Sequence, residues 1–199
     1  MNMRRMRFLI RLVLAALIAI SIGVSLLLYH AHCAMVAAGR YVSDVSQLQI
    51  GVSGTREFVR IRDKYSRYAE IDPNCNDEEC IAKFKFDNGW PKNIYVVHSA
   101  FLLSNLTLSN GSITSSGIDS FCHGSNGGRY LAGTVELLPN PLTFVGPFRE
   151  NHHLSSDKVS LLGFELTPAA SAEQRARAYA FNVSFLGRFG ACNDATDMH

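Results

Sequence analysis

The chain has 199 residues, 47% hydrophobic and 18% charged, with a formal net charge of +2. That length suits one domain with a sizeable core plus a targeting or anchoring segment. The small positive excess comes largely from Arg4, Arg5, Arg7 and Arg11, and the near-balanced remainder has no interleaved basic and aromatic residues, so a nucleic-acid partner is set aside.

From Phe8 to Tyr29 the residues are almost all Leu, Ile, Val and Ala, interrupted by Arg11, Ser21, Gly23 and Ser25. Roughly 20 such residues at 1.5 Å each span the ~30 Å hydrocarbon core of a bilayer, and Arg11 is close enough to the start to snorkel to the interface. The arginines ahead of the run keep the N-terminus cytoplasmic. The expected organisation is a cytoplasmic basic tail at 1–7, a transmembrane helix or uncleaved signal anchor at 8–29, a juxtamembrane helix at 30–47 and an extracytoplasmic domain at 48–199. Cleavage after Val36-Ala37-Ala38 or Ala31-His32-Cys33 is the competing reading. The run from Leu12 to Tyr29 exceeds the ~7 to 15 apolar residues of a signal peptide, which favours the uncut anchor. His32 before Cys33 does not suit a lipidation signal.

A helix over Arg56 to Tyr68, capped by Ser53 or Thr55, turns Phe58, Val59, Ile61 and Tyr65 to a core. Asp72-Pro73-Asn74 ends it, and Ala82-Lys83-Phe84-Lys85-Phe86 then alternates with the period of a strand. Further strands are expected at Ile94 to Val97, Phe101 to Leu108, Ile113 onward, Tyr130 to Leu138 and Val159 to Leu166. Asn110-Gly111 is a strong hairpin signal, and Pro139-Asn140-Pro141 a stop. Ala169 to Ala178 reads as a helix and Tyr179 to Phe189 as a closing strand. The fold class is α+β: an N-terminal transmembrane helix, then one mainly antiparallel sheet domain with two or three helices.

Five cysteines are present. Cys75, Cys80, Cys122 and Cys192 lie beyond the membrane-proximal region and form two disulfides in an oxidising compartment, with three connectivities open. The pairing Cys75 with Cys80 and Cys122 with Cys192 is the expected one, since the first closes a polar turn and the second ties the chain's end to its middle. Cys75 to Cys80 is C-x4-C with no matching second knuckle, so zinc is not expected.

His98, His123, His152 and His153 sit in or beside expected loops without any spacing that metal or acid–base chemistry requires, and adjacent residues on a strand point to opposite faces. His123-Gly124-Ser125-Asn126-Gly127-Gly128 fits neither a nucleophile elbow nor a phosphate loop. It reads as a turn. Asp77-Glu78-Glu79 lacks the oxygen spacing of a calcium loop and reads as a solvated face. Asn105, Asn110 and Asn182 head glycosylation acceptor sequences, and Trp90, before Pro91, reads as core or turn packing. No catalytic residue, cofactor or metal is expected.

Leu48 to Ser53 followed by the helix to Tyr68 resembles the opening of small envelope lipoproteins of the outer-membrane assembly type, without their lipidated cysteine. The basic start, the single anchor, the Cys75 and Cys80 pair, Phe84-Lys85-Phe86-Asp87-Asn88 and the late Cys192 resemble single-anchor bacterial membrane proteins of unknown function, a class that implies no activity. Pilin subunits likewise join an apolar helix to an α+β head with a late disulfide. The Gly-Phe and following Glu that their processing needs do not occur at the start of the apolar run. The sequence therefore leads to a single-pass membrane protein whose outward domain binds an envelope protein or ligand or serves envelope structure. An extracytoplasmic hydrolase using His123 or the His152-His153 pair, or a secreted protein after cleavage, is the alternative. The bilayer and an unknown envelope protein or ligand are the expected partners, and nucleic acid is not one.

Overall fold

A computed structural model describes residues 3–89, 99–124, 129–138, 146, 148–155, 159–187, 192 and 194–199. The expected strand at Ile94 to Val97, together with Trp90, Pro91, His98, Ser125 and Pro139-Asn140-Pro141, lies outside them. The fold is α+β: a long apolar N-terminal helix, then a mixed seven-stranded sheet that is mostly antiparallel. Helices α1 (Met3–Ser46), α2 (Thr55–Lys64) and α3 (Ala172–Ala178) accompany strands β1 (Ala69–Ile71), β2 (Cys80–Asp87), β3 (Ala100–Ser109) and β4 (Ser112–His123). β5 (Arg129–Leu137), β6 (Phe148–Ser155) and β7 (Val159–Leu166) complete the sheet, in the order β1-β2-β3-β4-β5-β7-β6. Neighbours are antiparallel except β5 and β7, which run parallel.

α1 is one uninterrupted helix with two environments. Its front half is long and apolar enough to cross a membrane, and its large side chains stand bare, Phe8 and Leu26 more than 60% exposed. Each such side chain forgoes about 1.5–3 kcal/mol of burial in water, so this stretch calls for an apolar surround. Its hydroxyls suit one: Ser21 donates to the Leu17 carbonyl and Ser25 to that of Ser21, both at 2.8 Å, so neither is left unsatisfied in lipid.

The back half belongs to the globular core. Ala31, Ala34, Ala38, Tyr41, Val42 and Val45 are buried at helical spacing, so the core draws on residues that the sequence sets apart as a juxtamembrane helix. The alanines keep the helix close to the sheet, and Tyr41 packs its ring on Phe84, Phe86 and Tyr65 with centroids 4.7, 5.2 and 5.1 Å away. The helix crosses the strands obliquely. His30 faces Asp87 at the end of β2 (3.7 Å), Tyr41 meets Ser104 in mid-β3 (2.7 Å), and the carbonyls of Ser46 and Leu48 reach Arg175, which pairs with Glu136 on β5.

The alternation expected around Phe84 is present: Cys80, Ala82, Phe84 and Phe86 point to the helix layer while Ile81, Lys83 and Lys85 face away. Asn110 and Gly111 take φ of 51° and 71° between β3 and β4, the left-handed pair that a two-residue hairpin turn needs. α2 begins at Thr55, where Glu57 accepts from the Gly54 amide at 3.1 Å, and continues as a 3-10 turn, Ser66–Tyr68. α3 is shorter than expected because Ser171 caps it and exchanges hydrogen bonds with Gln174.

Two features correct the expectations. Within Tyr179 to Phe189 the described residues make no strand: Tyr179 closes α3 and Val183–Gly187 forms a 3-10 turn that buries Phe185 and Leu186 against α1. The alternation there marks a segment that caps the core. β6, Phe148–Ser155, lacks apolar alternation because it is the sheet's edge, where polar residues discourage pairing with another chain.

Candidate functional site

Among the described residues, helices cover one face of the sheet only. On the other face the strand registers line up three rows of side chains. The middle row runs Leu103, Asp119, Gly133, Gly163, Asn151 across β3, β4, β5, β7 and β6. One side of it holds Asn105, Gly117, Val135, Glu165 and Arg149; the other holds Phe101, Phe121, Leu131, Leu161 and His153. Phe101 and Phe121 stack with centroids 4.8 Å apart, and Leu103 and Leu161 are each nearly 40% exposed.

The glycines of this face leave room for polar side chains to lie flat. A Cβ at Gly133 would meet the Asp119 carboxylate, and a Cβ at Gly117 would meet the Asn105 amide oxygen. Asp119 is therefore laid across β5, exposed on top but hemmed at its sides by sheet atoms. That crowding raises its carboxyl pKa above the ordinary aspartate value by desolvation. Two shallow grooves meet at it. One, about 320 Å³, is lined by Asp119, Leu131, Gly133, His153, Leu161 and Gly163; the other, about 290 Å³, by Tyr68, Lys83, Lys85, Leu103, Asn105 and Asp119.

The carboxylates around Asp119 stand beside cations. Asp87 lies 3.2 Å from Lys85, Glu165 lies 2.6 Å from Arg149, and Glu70 is in register with Lys83. Among the described residues the Asp119 carboxylate has no ion-pair or hydrogen-bond partner. Aspartates that lie low on a sheet and keep no partner are candidates for contact with a ligand.

The residues singled out in the sequence are dispersed. His123 is on the free face, edge-on to Phe121, with Nδ1 3.1 Å from the Ser99 hydroxyl. His153 lines the larger groove, whereas its neighbour His152 is directed to the other face, 3.8 Å from Asp194. The two cannot share one metal ion, and no group of three metal-ligating side chains occurs among the described residues. Asp77 and Glu78 lie in the turn after Cys75, where their backbone carbonyls accept from Thr55 and Gly111, so this loop is held to α2 and the β3–β4 hairpin.

Cys75 is bonded to Cys80 and Cys122 to Cys192, and Cys33 is free. The second bond ties the C-terminal segment to β4, and the segment then packs under β5 and β7, where Asp194 caps the closing 3-10 turn and His199 stacks on Phe164 at 4.3 Å. Burial there lowers the His199 pKa, against the pull of the Ala178 carbonyl and Glu150. Of the three glycosylation acceptors, Asn110 is exposed at the hairpin tip, Asn105 lies along the sheet, and Asn182 donates to the Asp197 carbonyl at 3.1 Å.

Asp119 drew no notice in the sequence because its site is assembled from residues 103 to 163 by strand register. Isolated glycines inside strand patterns, Gly117, Gly133 and Gly163, are the signal that marks close approach over a sheet. The sequence matches no protein-family model, and neither a curated protein nor a solved structure matches it.

Proposed function

We propose that this is a single-pass membrane protein, N-terminus cytoplasmic, that holds a disulfide-braced binding domain outside the membrane and presents the Asp119 face of the sheet to a partner. One observation carries the anchored part: a single helix supplies both the apolar span and a buried ridge of the core. Cleavage after Ala38 or Cys33 would remove Ala31 from that ridge, and after Ala38 also Ala34 and Ala38, all of which are at most 1% exposed. The two disulfides support an oxidising compartment for the domain, and the arginines before Phe8 support the orientation.

The binding part rests on the face that no described helix covers, with its exposed leucines, stacked phenylalanines and an aspartate unpaired among the described residues. Open, shallow grooves on a flat sheet suit a macromolecular partner better than a small molecule, which is held in deep concave sites. The intact mass of the protein taken from its native membrane tests the anchor: the full-length mass supports it, and a mass beginning near Ala34 or Gly39 overturns it. A membrane-impermeant protease that removes the domain from sealed cells supports the orientation.

An extracytoplasmic hydrolase is the second reading, favoured by the placement of Asp119 and His153 along one groove. It requires turnover that both Asp119→Asn and His153→Ala abolish without loss of folding.

A further inference from the structure

The charge pattern of the free face says what its partner brings. The other described carboxylates of that face lie beside or opposite a cation, and the central one does not. We propose that the groove at Asp119 receives the Lys or Arg side chain of a partner polypeptide laid over the sheet, with Leu131 and Leu161 holding that residue's apolar neighbours. The inference deepens the binding reading above and rests on it.

Geometry favours this occupant in three ways. Gly133 lets the Asp119 carboxylate lie over β5, and Gly163 leaves the floor beyond it without a side chain, so a long basic side chain can run over Gly163 and end on the Asp119 oxygens. Leu131 and Leu161 are in register on β5 and β7, one row away, and form an apolar shoulder. Lastly, seven strands about 4.8 Å apart and about eight residues long at 3.3 Å each make a face of about 750 Å², close to the ~800 Å² that one partner contributes to a standard protein interface. A cation also offsets the desolvation that Asp119 already suffers from its neighbours, since a crowded carboxylate gains more from an opposite charge than a fully solvated one.

The test uses the full chain in lipid nanodiscs and three probes: acetyl-Val-Arg-Val-amide, the same peptide with citrulline replacing arginine, and n-butylguanidinium. Backbone amide shifts report where each binds. The expected result is shifts centred on Asp119, Gly133 and Gly163, with the arginine peptide binding about tenfold more tightly than the citrulline peptide. Asp119→Asn should erase that preference and leave the spectrum otherwise intact. Equal binding of the two peptides on this face overturns the cation proposal while sparing the binding reading. Butylguanidinium binding as tightly as the arginine peptide overturns the polypeptide occupant in favour of a small base. No shift on the face with any probe overturns both the proposal and the binding reading.

Discussion

The two faces of the sheet are built from the same strands and differ in how completely their polar groups are answered. On the helix side Tyr41 donates to Ser104, whose own hydroxyl donates to the Gly117 carbonyl at 2.5 Å. Tyr179 donates to Glu136 at 3.1 Å, Glu136 pairs with Arg175, and Arg175 donates to the Leu48 carbonyl at 2.7 Å. Burial raises the pKa of both tyrosines well above the phenol range, so these hydroxyls stay neutral donors. On the free face the Asp119 and Asn105 side chains lie flat and make no hydrogen bond among the described residues. On the helix side the buried tyrosines, Ser104, Glu136 and Arg175 thus answer one another. On the other face a crowded carboxylate is left without a side-chain partner among the described residues, and the proposed binding face rests on that contrast.

The sharpest way to break the contrast is at Arg175. Arg175→Met leaves Glu136, fully buried, without its cation, and should cost about 3–5 kcal/mol in denaturant unfolding. Adding Glu136→Leu should recover most of that loss. Recovery absent from the double variant would mean that Arg175 acts mainly through the Ser46 and Leu48 carbonyls. Next come the disulfides. Replacing Cys122 and Cys192 by Ser opens a closure of 70 residues and should cost about 4 kcal/mol, against about 2 kcal/mol for the five-residue closure of Cys75 and Cys80. Tyr41→Phe removes one buried donor and should cost about 1 kcal/mol by the same measurement.

Acid separates the faces by sign. His199 is held neutral by burial between Phe164 and Phe181, so its folded pKa lies below its unfolded value. Its contribution is complete above about pH 6.5 and is lost as pH falls through that region, because the unfolded chain then binds the extra proton. Asp119 behaves oppositely. Its raised pKa means that the ionised form weakens folding, so its burden lifts as pH falls through the folded value. Thermal unfolding from pH 7.5 to 5.5 should show a loss that His199→Gln reduces, whereas Asp119→Asn should raise the melting temperature slightly at neutral pH. A melting temperature unchanged or lowered by Asp119→Asn would show that the carboxylate is well solvated. The smallest effect belongs to Leu161→Ser on the free face, within about 0.5 kcal/mol in stability, and its consequence should appear in binding alone.

Much of the packed face was legible in the sequence. Ala82 to Phe86 alternates cleanly because one side of β2 is buried and the other is wet, and Asn110-Gly111 declares its turn because few residues tolerate a positive φ. The apolar run to Tyr29 is read from length alone. Its continuation into the core was not, since Ala31, Ala34 and Ala38 have no large side chains and look like spacer. β6 escaped because an edge strand has no need of apolar alternation, and the segment after Tyr179 misled because side chains that plug a core from a 3-10 turn can alternate as a strand does. The candidate site was the least legible part: a row that crosses five strands leaves only single residues in any window of sequence.

The unbroken course of α1 has a mechanical consequence. Between the apolar run and Ser46 there is no proline and no break in the helix, so the two halves share one axis. Residues 30–46 rise about 26 Å along it. With the proposed anchor, a thinner bilayer increases the tilt of the apolar half and a thicker one reduces it. The domain must lean by the same angle, and a lean of 20° displaces its far end by about 9 Å over that rise. Under the proposed anchoring, membrane thickness thus becomes a lever on the direction in which the sheet faces.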